Sequence, residues 1–237
     1  YERRRRGEPP VDPDPSLGYA ENFLAMVRGE APTTEEARAF EIAMILHAEH
    51  EMNASTFTAR VVAGTNADMH SAIVAAICAL KGPLHGGANQ AAMRMLEEFG
   101  STDRVAEGVR QRLERKLPLY GFGHPLYRAR DPRAPILRRL AEKFADDGER
   151  NFLELATAAE REAHAQKGLW TNVDLYSGVL YHYLGIPTDV FITLFAMSRV
   201  AGQAAHVLEQ HAGGKIIRPS AEYVGEPRRE YPVREPH

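Results

Sequence analysis

The amino-acid sequence predicts an all-α protein. Nearly every segment repeats its apolar residues with the helical period of about 3.6. No stretch alternates in the manner of a strand, and Gly, Pro and Asx residues stand where the periodic segments end. The 237 residues suffice for one large domain or two modest ones, with ample core. Apolar residues make up 44% and charged residues 26%, the balance of a globular protein. A net charge of -3 gives no sign of a bulk nucleic-acid binder. Cys78 is the single cysteine, so no disulfide forms within the chain, which favours a reducing, cytoplasmic setting. No apolar run reads as approaching transmembrane length and no signal peptide is visible. The chain begins at Tyr1, which reads as a piece of a longer product.

Residues 1–18 read as a connector, with a basic run from Arg3 to Arg6 and prolines at 9, 10, 13 and 15. Phe23, Leu24 and Val27 form the apolar face of a short helix over 19–29. Thr33 and Glu36 are spaced as a capping box, and the helix they start runs through Phe40, Met44 and Ile45 to His47 and His50. An Ala/Val/Thr stretch follows Asn53 and Ser55. Asn66 and Asp68 then cap a helix with Ile73, Ala76, Ile77 and Leu80 at helical spacing and Cys78 on its apolar side. Lys81 and Gly82 end it, and Pro83 prevents its continuation.

Gly86 and Gly87 open the next helix, through Ala91, Met95 and Phe99, and leave His85 in a tight loop at a helix N-terminus. Gly100-Ser101 recaps the chain for Val105, Val109 and Leu113. Tyr120-Gly121-Phe122-Gly123-His124-Pro125 is a second glycine-walled loop. Asp131-Pro132 is a helix start, Asp at the N-cap and Pro at N1, for the stripe Leu137, Leu140, Ala141 and Phe144. Asn151 caps a helix that Gly168 ends, and Asn172-Val173-Asp174 starts another. A long helix begins at Thr188 or Asp189 and ends at Gly213-Gly214. Lys215 to His237 read as an extended arm.

Three loop-to-helix junctions present a titratable group beside a glycine or a cap: His85, His124 and Asp174. Two histidines and a carboxylate make a plausible acid–base set. The helix dipole and free N–H groups beside His85 oppose a second proton on its ring, which suits donation of one N–H to a developing oxyanion. His47 and His50 fall three apart on one predicted helix, but Glu49 between them does not make the H-E-x-x-H zinc pattern, and no metal site is expected. Arg133, Arg199 and Arg218 each stand near a motif. Converging on one cleft, such guanidinium forks would suit a dicarboxylate.

Leu46-His47-Ala48-Glu49-His50-Glu51-Met52-Asn53-Ala54-Ser55-Thr56, Gly82-Pro83-Leu84-His85-Gly86-Gly87-Ala88-Asn89, Gly121-Phe122-Gly123-His124, Asp131-Pro132-Arg133 and Asn172-Val173-Asp174-Leu175-Tyr176-Ser177-Gly178 resemble, in order, the successive motifs of the citrate synthase family. Ser198-Arg199-Val200-Ala201-Gly202 and Ile217-Arg218-Pro219 continue the resemblance, which covers roughly residues 19 to 225. It implies a two-domain helical homodimer. The small domain would be 85–179, and the large domain 1–84 with 180–237, incomplete because the family's N-terminal portion is absent.

The resemblance also implies chemistry. His85 would polarise the thioester carbonyl of acetyl-CoA, Asp174 remove the methyl proton, and His124 donate to the oxaloacetate carbonyl, giving citryl-CoA and then citrate and CoA. His50, Arg133, Arg199 and Arg218 would bind oxaloacetate, the last across the dimer interface, and Arg128 would meet a CoA phosphate. The implied substrates are small molecules, with CoA as substrate rather than cofactor, no nucleic acid and no membrane, in the tricarboxylic acid cycle of the cytoplasm. The rivals are a 2-methylcitrate synthase using propionyl-CoA, a related citryl-CoA enzyme, and a non-catalytic helical fragment of a split enzyme. The sequence departs from the family at Pro125-Leu126 (often Arg-Val), at Thr171 (usually Pro) and at Gln203 (Trp in many relatives).

Overall fold

The computed structural model describes residues 2–82, 85–124, 127–145 and 151–231. Pro83, with its expected helix stop, and Pro125-Leu126 lie outside them. Among the described residues the structure is helical, and its one β-bridge pairs Phe122 with Thr171. The helices are α1 (Glu2–Arg5), α2 (Tyr19–Arg28), α3 (Thr34–His47), α4 (Ala54–Ala63), α5 (Met69–Leu80), α6 (Ala88–Phe99), α7 (Thr102–Glu114), α8 (Ala134–Ala141), α9 (Phe152–Lys167), α10 (Val173–Tyr183) and α11 (Phe191–Gly213).

Their ends are written in short polar residues. The Thr33 hydroxyl accepts the Glu36 N–H, and the Glu36 carboxylate returns to the Thr33 N–H at 2.6 Å, so two orphan donors are satisfied at once. Asn53, Asp68, Asn151 and Asn172 each accept a backbone N–H of the first turn of α4, α5, α9 and α10. Arg3, in a short helix where a connector was expected, donates to the Arg28 carbonyl at the C-terminal end of α2.

The main core joins Leu24 and Phe40 to Met93, Leu96, Leu137, Leu155, Tyr176, Leu180, Tyr181 and Phe191, all essentially without solvent contact. A smaller core sits where α4, α5 and α11 meet. Ala59 and Ala63 face Ala72 and Ala76, and Val207 closes the space. The small side chains let the helix backbones approach closely.

Four further expectations change. α3 ends at His47, so His50 occupies the following turn and does not share the helix with it. Ile45 is 62% exposed and Ile77 42%, and Cys78 is exposed, because α3 and α5 bury their alanine-rich sides instead. The helix after Asp131-Pro132 begins at Ala134, two residues late. The Asp131 carboxylate accepts the Arg133 N–H at 3.0 Å and the Asp131 carbonyl accepts the Ala134 N–H at 3.1 Å in a turn that precedes the helix, and the first helical bond runs from the Leu137 N–H to the Arg133 carbonyl. Thr188–Gly213 is long and apolar enough, by length and composition, to cross a membrane. In this fold it packs against α3, α4, α5 and α6 and carries a buried arginine.

Candidate active site

The expected site residues come together, with two exceptions. A cavity of about 550 Å³ is lined by His50, His85, His124, Arg133, Asp174 and Arg199, with Ala88, Asn172 and Phe195 among the remaining walls. Arg128 is exposed and Arg218 lies on the exposed arm; neither lines the cavity.

Close backbone packing brings the loops to this point. Gly202 donates its N–H to the Ala48 carbonyl at 3.1 Å, and a Cβ there would lie 2.4 Å from that oxygen. Only glycine lets α11 meet the end of α3 so closely, and this seats Arg199 beside the turn carrying His50. Gly86 plays the same part for His85: its N–H meets the Leu80 carbonyl at 2.9 Å, with no room for a Cβ.

The His124 loop and the Asp174 helix are tied by the bridge at Phe122 and Thr171. Gly123 N–H donates to the Trp170 carbonyl at 2.8 Å, Asn172 N–H to the Gly121 carbonyl at 3.0 Å, and the Asn172 amide to the Gly123 carbonyl at 2.9 Å.

The histidine protons can be assigned from fixed donors. Ser55 N–H points at His85 Nε2 (3.3 Å), and the Ser55 hydroxyl lies 2.9 Å from the same nitrogen. A backbone N–H can only donate, so Nε2 is bare and a neutral His85 carries its proton on Nδ1. Gln203 donates to the Ser55 hydroxyl oxygen at 3.0 Å. Burial, then the charge of Arg199, lowers the His85 pKa, so the ring is neutral near pH 7. Tyr127 N–H donates to His124 Nδ1 at 3.2 Å, which leaves the His124 proton on Nε2, 2.8 Å from His50 Nε2. Burial followed by Arg133 lowers His50 to about 4, and burial is also the first cause lowering His124.

Asp174 sits in the first turn of α10, its N–H held by the Asn172 cap at 3.0 Å. Burial raises it to about 6, against the opposing charges of Arg133 and Arg199. A carboxylate so poised is ionised at neutral pH yet more basic than an exposed aspartate.

Arg199 is 2% exposed; its Nε donates to the His47 carbonyl at 2.7 Å and its guanidinium lies 4.8 Å from the Phe195 ring centre. Burial, then Arg133, lowers it to about 10, so it stays charged. Arg133 forms a bidentate pair with Asp131, at 3.0 and 2.7 Å. Asp131 is fully buried and also accepts the Val173 N–H at 3.2 Å. Burial alone would raise its pKa, but the bonds and charge of Arg133 outweigh it and lower it. One carboxylate thus fixes both the arginine and the start of α10.

Sequence reasoning read Asp131 only as a cap, and gave Ser55, Gln203 and Tyr127 no place in the site. Ser55 and Tyr127 stood inside or beside the quoted motifs, but spacing alone could not show which side chain touches which.

Comparison with known proteins fits this arrangement. The family model of the citrate synthase C-terminal domain matches residues 1–220. Citrate synthase 2 of Bacillus subtilis is 45% identical over 99% of this chain and 64% of its own length. The 2-methylcitrate synthase of Shewanella oneidensis is 44% identical over 90% of this chain and 57% of its own. The chain therefore spans about three-fifths of the curated relatives it matches. Among solved structures, Thermoplasma acidophilum citrate synthase, in a ternary complex with carboxymethyl coenzyme A and oxaloacetate, superposes with a TM-score of 0.88 at 39% identity, over 97% of this chain and 62% of that one. The citryl-CoA lyase of Hydrogenobacter thermophilus superposes at 0.78 with 31% identity, over 92% of this chain and 88% of that one.

Proposed function

Because the chain belongs to the citrate synthase family, we propose that its cavity condenses an acyl-CoA thioester with oxaloacetate, converting acetyl-CoA, oxaloacetate and water to citrate and CoA. The observation that carries this reading is the convergence of His85, His124 and Asp174 on one cavity whose walls include two charged arginines.

Arg133, Arg199 and His50 bind the oxaloacetate carboxylates, and Arg218 is supplied by a second copy of the chain. His85 donates its Nδ1–H to the thioester oxygen while Asp174 takes a methyl proton. The resulting enol carbon attacks the oxaloacetate ketone. His124 gives its Nε2–H to the alkoxide, and water then hydrolyses the citryl thioester to release CoA. A thioester methyl is a poor acid, so a carboxylate base succeeds only if the enolate is stabilised as it forms. Neutral His85 is placed to do that.

Residues 85–179 act as a small domain that closes over the ligands and excludes water. Arg128 meets a CoA phosphate. Exposed apolar residues on neighbouring helices, Phe57 on α4, Val74 and Ile77 on α5 and Leu208 on α11, support a homodimer. The reading needs no cofactor beyond the CoA substrate and no nucleic acid or membrane, and it places the protein in the cytoplasm, in the tricarboxylic acid cycle.

The test is thiol release on mixing the protein with oxaloacetate and either acetyl-CoA or propionyl-CoA. Faster release from propionyl-CoA would assign 2-methylcitrate synthesis, which the Shewanella relative supports at nearly the same identity. A second reading, cleavage of citryl-CoA, is favoured by the match over most of the lyase's length; it uses the same groups in reverse and predicts oxaloacetate release from citryl-CoA. Binding of neither substrate would leave the non-catalytic fragment.

A further inference from the structure

Five buried side-chain atoms lack a hydrogen-bond partner among the described residues, and three of them, Asp174 Oδ1, the Tyr181 hydroxyl and His47 Nε2, belong to side chains linked by a shared helix and a ring contact. Asp174 and Tyr181 are seven residues apart on α10, two turns along one face. A long helical side chain leans toward the N-terminus of its helix, which carries the Tyr181 hydroxyl back toward Asp174. After burial, the charge of Asp174 is what raises the Tyr181 phenol. The Tyr181 ring centre lies 6.3 Å from that of His47.

The proton inventory of the three atoms is lopsided. His47 Nδ1 sits 2.7 Å from the Ala43 carbonyl, which can only accept, so Nδ1 carries the proton and Nε2 is a bare acceptor. Burial keeps that ring neutral. Asp174 Oδ1 is a second acceptor, and Tyr181 offers one O–H. Direct pairing therefore leaves one buried acceptor unmatched, at a cost of about 1–3 kcal/mol. One water closes the set: it donates to both acceptors and accepts the phenol proton. Buried waters typically make about three such bonds.

We propose that a single ordered water bridges Tyr181, His47 and Asp174, making Tyr181 and His47 positioning residues of the base. The inference rests on the reading of Asp174 as that base. With Oδ1 committed to the bridge, the other carboxylate oxygen is the one turned to the cavity and the one that takes the substrate proton. The bridge also stabilises the charged carboxylate. The other groups facing Asp174 are Arg133 and Asp131 from the segment before α8, Arg199 from α11, and His85 and His124 across the cavity. None of these is altered by substitution at Tyr181.

The experiment is a Tyr181→Phe variant of the full chain, with ¹³C-carboxyl aspartate and ¹⁵N-imidazole histidine. The Asp174 midpoint should rise by about one unit, and the His47 Nε2 signal should move toward that of an unbonded acceptor although His47 is unchanged. His47→Leu should raise the Asp174 midpoint likewise. His47→Gln, whose amide oxygen can accept the same bond, should bring it back. Wherever turnover is measurable, the acid limb of kcat should move with the Asp174 midpoint while KM for oxaloacetate stays within about twofold. Wild-type Asp174 and His47 signals in Tyr181→Phe overturn the bridge, as does a wild-type Asp174 midpoint in His47→Leu. The NMR readout needs no turnover: shifted midpoints in a chain that fails the thiol-release test would sink the proposed function and leave the bridge standing.

Discussion

His50 and His124 face each other through their Nε2 atoms at 2.8 Å, and the Tyr127 N–H on His124 Nδ1 decides which of them donates. The Nε2 proton of His124 is directed at His50. A ketone oxygen entering the site must take that proton over, and His50 is then released to meet the ligand itself. Charged ligand contacts of this kind contribute about 1.5–3 kcal/mol. His50→Ala should therefore weaken oxaloacetate binding by roughly 10- to 100-fold, measured by calorimetry. An unchanged Kd would remove His50 from the binding set.

The Ser55 N–H makes a separate prediction for His85. Labelled His85 should titrate below the ordinary value of about 6.5 and, when neutral, show its proton on Nδ1. Ser55→Ala removes the hydroxyl but keeps the backbone donor. The tautomer should persist while turnover falls about tenfold through looser positioning. A midpoint above about 7 would instead make His85 a charged general acid.

Much of this site was legible because its groups stand at chain punctuation. Glycines, prolines and Asx caps mark where helices stop, and His85, His124 and Asp174 each sit at such a mark. The supporting contacts were not legible. Asp131 reads as a helix cap from its neighbour Pro132 and does accept the Arg133 N–H, but its carboxylate also holds the Arg133 guanidinium and the start of α10. Gln203 reaches Ser55 from 148 residues away, and no local pattern encodes that pairing. The outward turn of Ile77 and Cys78 was missed for a related reason: an apolar period gives the axis of a face, not which half of a wide apolar stripe meets the core.

Arg218 tests the proposed second copy. If each site borrows Arg218 from a partner, Arg218→Ala and His85→Ala homodimers should both be nearly inactive. In a mixed dimer one site keeps both groups and the other lacks both. After full random exchange half the dimers are mixed, so activity should recover to about one quarter of wild type. No recovery, with exchange verified by mass spectrometry, would show that each site is built from one chain.

Asp174 links activity to stability in opposite senses. As the base it is needed ionised, so Asp174→Asn should keep oxaloacetate binding and lose about 10²–10⁴-fold in turnover. Burial raises its folded pKa from 3.8 to about 6, so between those values the folded protein binds more protons than the unfolded chain. Stability contributed by the protonated group is then fully present below the unfolded value and is lost as pH rises through about 6. The neutral amide of Asp174→Asn escapes that loss. The variant should unfold at a higher temperature than wild type at pH 8, and the gain should shrink toward pH 4. His47 and His50, both lowered to about 4 by burial, act oppositely: their neutral forms stabilise the fold at neutral pH, and that contribution is lost as pH falls from about 6.5 toward 4. Both chains should therefore lose stability on acidification, which is why the comparison is made as the difference between variant and wild type at each pH. Calorimetric scans across pH 4 to 8, buffered at constant ionic strength, would measure it. A difference that does not grow with pH would mean that Asp174 is not held as an unfavourably buried charge, and the argument for its basicity would fall with it.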